Sequence, residues 1–172
     1  IGASNKGFPA PLSDEEYLKL AQPFLKKAEI GMFLNAKRYE AANIELAAHY
    51  NLGFLRCGSD AGDAHLYLKQ IKDIKGHGMK AYFSQMKAYI LSPNKLAEEA
   101  RLLEDAGVDE ITLMDSAGCM FPDQVSLSVE AMKNAVKVPI GFHCHANMGM
   151  CSANALAAYR SGADILDCGL LG

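Results

Sequence analysis

The stretch Ser92–Gly118, SPNKLAEEARLLEDAGVDEITLMDSAG, carries one full unit of the pattern on which the fold rests. Ser92 followed by Pro93 reads as an N-cap and a first helical position. Leu96, Ala100 and Leu103 then share one helical face, and Gly107 ends the helix. Next comes Glu110–Asp115, a short apolar run closed by a carboxylate. Outward from this unit the same alternation repeats in both directions. Candidate strands lie at Ile30–Leu34, Gly53–Cys57, Ala81–Met86, Glu110–Asp115, Ile140–His145 and Asp164–Cys168. They recur at roughly 22–30 residues, near the ~31 per unit of a barrel of about 250 residues. Ser13 and Glu16 form a capping box, Pro122 opens a helix, Pro139 precedes a strand, and Gly162 closes a helix over Ala153–Arg160. Such alternation predicts a parallel sheet covered by helices.

Two α/β architectures compete. A doubly wound open sheet usually carries a glycine-rich phosphate loop after its first strand, and neither GxGxxG nor GxxxxGK[ST] occurs. The favoured expectation is a parallel (β/α)8 barrel. Residues 1–172 would form a single domain segment of about six βα units, lacking about two strands at the start and the last helix. Half of the residues are hydrophobic and the net charge is −3, which argues against a nucleic acid or an anionic membrane as partner. The apolar runs are too short to span a bilayer, and no secretory leader is visible. Five cysteines without a CxxC pair suggest reduced thiols in a cytoplasmic protein.

In parallel α/β proteins ligands bind at the carboxyl ends of the strands. The polar residues expected there are Arg56, Asp115, Ser116, His143, His145 and Asn147. His143 and His145 stand at i and i+2, so both imidazoles share one face of a strand and can converge on one metal ion. Cys144 and Phe142 would then face the helices. Two imidazoles are an incomplete set, and at least one further protein ligand is needed. Arg56 could clamp a substrate carboxylate or pair with an acid such as Asp60 or Asp115. Asp115 could orient a ligand or substrate, or cap the turn Ser116-Ala117-Gly118. Asn147 reads either as a site residue or as an N-cap. His49, His65 and His77 read as solvated, and Lys87 and Tyr89 as candidates for the cavity rim.

The segments FHCHANMGMCSANALAAYRSGADILDCGLLG and KLAEEARLLEDAGVDEITLMDSAGCMFPDQV resemble the HMG-CoA-lyase-like barrel superfamily, the DRE-TIM metallolyases. The DSAG at Asp115–Gly118 and the HCHAN at His143–Asn147 look like its 4-hydroxy-2-oxovalerate aldolase branch, and the likeness runs from about Ser13 to Gly172. The resemblance implies that His143 and His145 bind a divalent metal, manganese foremost, with magnesium, cobalt or zinc as alternatives. It places the third ligand, an Asp, together with a catalytic Arg, in a first-strand motif outside these residues, with a catalytic His base following shortly after. Catalytic residues are therefore unassigned on this chain, and Arg56, Asp115, Ser116 and Asn147 are expected to bind substrate.

The implied reaction is cleavage of a 4-hydroxy-2-oxo acid to pyruvate and an aldehyde. Lewis-acid stabilisation of the enolate charge supplies its driving chemistry. A partner acylating aldehyde dehydrogenase and a homo-oligomer are expected for the parent. The segment Met32–Arg38 departs from the aldolase pattern, which leaves the aldehyde side of the pocket open. Two alternatives stand: an acyl-CoA-dependent Claisen-type synthase of the isopropylmalate synthase kind, and a non-catalytic degenerate barrel. The isolated segment is expected to be inactive.

Overall fold

A computed structural model describes Ile1 and residues 11–169. Six strands alternate with helices: α1 (Asp14–Ala21), β1 (Gly31–Asn35), α2 (Ala41–His49), β2 (Phe54–Asp60), α3 (Leu68–Gly76), β3 (Lys80–Met86), α4 (Pro93–Asp105), β4 (Glu110–Asp115), α5 (Pro122–Ala135), β5 (Ile140–Cys144), α6 (Cys151–Arg160) and β6 (Ile165–Leu166). The expected strand sites are all occupied. β2 runs on to Asp60 because its backbone continues to pair with Ser84–Met86, a ladder that needs no apolar side chain. β6 shortens to two residues at the edge of the sheet. The capping box at the start of α1 forms, with the Ser13 and Glu16 side chains each accepting the other's backbone N–H.

All strands are parallel and lie in the order β1-β2-β3-β4-β5-β6. That order has no switch point. Right-handed crossovers between successive neighbours put every helix on the same face. The burial pattern agrees. Leu34, Leu55, Cys57, Ala81, Phe83, Ile111, Leu113, Ile140 and Phe142 alternate along the strands and form one core with Ile44, Ile71, Leu96, Leu103, Val129 and Met132 of the helices. The intervening residues line the opposite face: Phe33, Arg56, Tyr82, Glu110, Thr112, His143 and Asp167 in adjacent registers.

This second face is concave. Strands β2 and β6 are four positions apart, which in a flat sheet is about 19 Å at ~4.8 Å per strand. Yet Nη1 of Arg56 on β2 donates to Oδ2 of Asp167, just past β6, at 2.5 Å. Two side chains cannot bridge the flat distance, so the sheet is rolled as a barrel wall is. A doubly wound sheet has neither this order nor this curl.

The turns at the amino ends of the strands repeat one device. Gly107 and Gly162, at φ +92° and +94°, end α4 and α6 in a left-handed conformation that glycine adopts at little cost. Two residues on, Asp109 accepts the N–H of Ala81 at 2.8 Å and Asp164 accepts that of Ile140 at 2.7 Å. Each aspartate thus ties the start of one strand to its neighbour, and each also meets a lysine, Lys75 or Lys133. Among the described residues no helix is long and apolar enough to cross a membrane.

Phe83→Ala, which empties a site with no exposed surface on the helix-covered face, should lower the unfolding free energy by about 3–5 kcal/mol. Leu127→Ala, at a half-exposed position of α5, should change it by less than ~0.5 kcal/mol. Urea denaturation of the two variants measures the contrast, and equal losses would mean the core lies elsewhere.

Candidate metal centre at the carboxyl ends of the strands

His143 is the penultimate residue of β5, and His145 stands one residue past its end. Their alternation puts both rings on the concave side, with centroids 5.2 Å apart and planes at 67°. His143 is about one-third exposed, and its Nδ1 lies 3.0 Å from Oδ2 of Asp167. A carboxylate on Nδ1 holds the proton there and leaves Nε2 as the basic nitrogen. Metal-binding histidines are commonly oriented in this way. His145 is exposed at the rim, and its backbone N–H donates to the Asp115 carbonyl at 3.2 Å. These donors fit two positions in the shell of a divalent ion. Among the described residues no group of three His, Cys, Asp or Glu side chains converges on one point, so the remaining positions need other donors.

Behind the histidines lies a charged layer. Nη1 of Arg56 reaches Asp167, Nη2 donates to Oε1 of Glu110 at 2.8 Å, and Thr112 donates to the same oxygen at 3.2 Å. Tyr82 lies beneath the guanidinium, 6.0 Å from ring centroid to Cζ. Burial pushes the Glu110 carboxyl up, against the pull of Arg56. Burial also pushes Asp167 upward, but its bonds to His143 and Arg56 outweigh that and hold it below the usual carboxylate range. Asp167 thus stays charged behind His143.

The structure brings together His143, His145 and Arg56, the last through Asp167. Arg56 is not at its strand end as expected. It lies mid-strand, because β2 continues to Asp60, and two protein carboxylates occupy its terminal nitrogens. Its acids are Glu110 and Asp167, not the expected Asp60 or Asp115. Asp60 instead joins Lys37 and Lys87 at the rim, and Lys87 first of all holds its carboxyl below the usual range.

Asp115 is fully buried and has the strand parity of Ile111 and Leu113, facing the helices. Its two oxygens accept from the amides of Cys119 and Met120 at 3.1 and 3.0 Å. Of the two roles expected for it, the turn-capping one describes its contacts. Ser116 is half-buried, and its Oγ accepts the N–H of Lys87 at 2.9 Å. Asn147 is exposed in the turn before α6, whose N-cap is Met150, so Asn147 does not cap that helix. His49, His65 and His77 are exposed, and so are Lys87 and Tyr89.

The two sequence motifs meet through backbone. Gly118 has φ +60°, and a Cβ there would lie 2.5 Å from the His145 carbonyl oxygen and 2.7 Å from the Asn147 nitrogen. The Met148 amide donates to the Gly118 carbonyl, and Asn154 Nδ2 donates to that of Met120. The loop after β4 is thus the bed on which the histidine loop rests. Sequence reasoning missed Glu110, Thr112 and Asp167. The usable signal was the strand parity that they share with Arg56 and His143.

The comparisons with known proteins agree with this architecture. Residues 58–172 match the family model described as HMGL-like. A 4-hydroxy-2-oxovalerate aldolase of Carboxydothermus hydrogenoformans is 38% identical over 163 residues, 95% of this chain and 48% of that protein. An oxaloacetate decarboxylase of Mycobacterium tuberculosis is 31% identical over 172 residues, 100% of this chain and 51% of that protein. The chain spans about half the length of these curated relatives. The carboxyl transferase domain of Rhizobium etli pyruvate carboxylase superposes with a TM-score of 0.81 at 20% identity, covering 90% of this chain and 29% of that one, a likeness of fold.

Two substitutions test the site's supports. Arg56→Met leaves Glu110 and Asp167 facing one another without their cation and should cost about 3–5 kcal/mol. Adding Glu110→Leu should restore part of that loss, and a strictly additive double mutant in chemical denaturation would show the two groups to be independent. Asp115→Ala should cost about 1–3 kcal/mol for the buried Met120 amide alone. An unchanged melting temperature would refute the capping role.

Proposed function

The chain belongs to the HMGL-like family, and from that membership we propose that it supplies the metal-binding wall of a barrel enzyme. The enzyme would cleave a 4-hydroxy-2-oxo acid to pyruvate and an aldehyde. The observation that carries the reading is the pair His143, in β5, and His145, just past its end, with ring centroids 5.2 Å apart and Asp167 behind the first ring. The names of the relatives add a substrate class. An aldolase of 4-hydroxy-2-oxovalerate and a decarboxylase of oxaloacetate both break the C3–C4 bond of a 2-oxo acid and leave the pyruvate enolate. A divalent ion, manganese foremost, would supply Lewis-acid stabilisation of that enolate charge.

The chain's own groups have definable tasks. Asp167 keeps the proton of His143 on Nδ1 and so presents Nε2 as a donor. Arg56 bridges Glu110 and Asp167, so one cation faces two carboxylates and the layer behind the histidines keeps a negative excess that favours a cation. Lys37, Lys87, Ser116 and Asn147 stand at the open rim, where a carboxylate-bearing substrate would arrive. Further strands of a complete barrel would carry the remaining ligand and the base. A cytoplasmic location, a homo-oligomer and an acylating aldehyde dehydrogenase partner belong to the same proposal.

Expressed within its complete barrel and supplied with Mn²⁺, the protein should release pyruvate from 4-hydroxy-2-oxopentanoate, read by coupling to lactate dehydrogenase. A chelator, His143→Ala or His145→Ala should abolish the release. Asp167→Asn should weaken metal affinity about 10–100-fold. The 172 residues alone should show no turnover. Free CoA from an acyl-CoA and a 2-oxo acid, with no pyruvate release, would replace this reading with the Claisen-type synthase.

A further inference from the structure

Between the two histidines stands a residue that the proposed chemistry does not use. Cys144, the last residue of β5, turns away from the concave face toward α6, whose first residue is Cys151. The two sulfurs lie 2.7 Å apart, well inside the distance at which unbonded sulfurs normally rest. Each thiol also lies against the other residue's carbonyl oxygen, Cys144 Sγ to Cys151 O at 3.5 Å and Cys151 Sγ to Cys144 O at 3.7 Å. Both cysteines are half-buried, within reach of a small oxidant. The other three are placed differently: Cys57 is buried, Cys119 half-buried and Cys168 exposed.

We propose that Cys144 and Cys151 are a redox-active dithiol, closed to an intramolecular disulfide by hydrogen peroxide or a comparable two-electron oxidant, and that the closed form ties together the two ends of the His145 loop. A disulfide needs about 2.05 Å between sulfurs, so the pair has only ~0.65 Å left to close. The chemistry balances. The Cys151 sulfur attacks one peroxide oxygen, the O–O bond breaks, and a sulfenic acid forms with loss of one water. The Cys144 sulfur then displaces the hydroxyl, the S–S bond forms, and a second water leaves. Two thiol sulfurs are oxidised by one electron each, and the peroxide takes up both electrons. Cys144 ends a strand inside the sheet, whereas Cys151 opens α6 directly after the exposed turn 145–149, so Cys151 is the sulfur that meets the oxidant first.

The consequence lies in the segment between the sulfurs. Residues 145–150 carry His145 and Asn147 and rest on Gly118 by backbone contact. A covalent tie across their ends restricts how far His145 can move. This inference stands on the thiol geometry and holds whether or not the aldolase reading does.

The test uses the chain itself with limiting hydrogen peroxide. Remaining thiols are then alkylated under denaturing conditions, and the peptides are mapped by mass spectrometry. The expected result is a Cys144–Cys151 linked peptide pair, lighter by two hydrogens and restored by dithiothreitol, formed while the exposed Cys168 is still free to alkylate. Cys144→Ser should lose the link and accumulate a sulfenic acid at Cys151 that dimedone captures. Oxidation of Cys168 with Cys144 and Cys151 left reduced would overturn the proposal. So would links that join only other cysteines.

Discussion

A single guanidinium fixes the shape on which everything else depends. Arg56 holds Asp167 from four strands away and Glu110 from two, and the longer of these bonds cannot form unless the sheet rolls. The sheet twist common to all strands supplies part of that curvature. The unpaired alternative supplies the rest. A partly buried cation with no acid, or two such acids with no cation, would be costly. Charge on the concave face and curvature of the sheet are therefore one constraint seen from two sides. The same constraint brings Asp167 to His143, because the carboxylate that meets Arg56 also accepts a hydrogen bond from the imidazole Nδ1.

The helix-covered face follows another rule. Its buried carboxylates are held mainly by backbone amides. Glu99 accepts the amides of Gly62 and Ala64 and the side-chain N–H of Gln85, and Asp115 accepts those of Cys119 and Met120. These acids lie at the same end of the barrel wall as the histidines, yet they serve its loops. Buried carboxylates that accept amide protons hold connecting segments in one conformation. That rigidity lets the β4 loop act as a floor for the β5 loop. The position of His145 is set by a glycine and an aspartate that never touch it with a side chain.

Much of this was legible in the order of residue types. Apolar runs alternating with amphipathic helices gave all six strand sites, and Ser13, Pro93, Gly107, Pro122 and Gly162 marked helix ends where the structure has them. Those signals are local: capping, fixed φ and strand parity act over a few residues. The parity of His143 and His145 was equally local, and it carried the sharpest expectation about chemistry. The membership in the HMGL-like family strengthens the fold reading, because its match covers the strands that bear both motifs.

What the chain order alone determined, then, is which residues form strands and helices and which two imidazoles share a face. Tertiary structure decided the partners. Arg56 could have met Asp60 or Asp115. It meets Glu110 and Asp167 because side chains on the concave face are brought together by curl across strands, over separations of 54 and 111 residues. Asp115 could have served the site, but its odd-numbered place in β4 turns it to the helices, where amides await it. Cys144 and Cys151 read as two of five reduced thiols without a CxxC pair until the turn before α6 set their sulfurs side by side. Long-range pairing depends on the closure of the whole wall, and no short window of sequence contains that information.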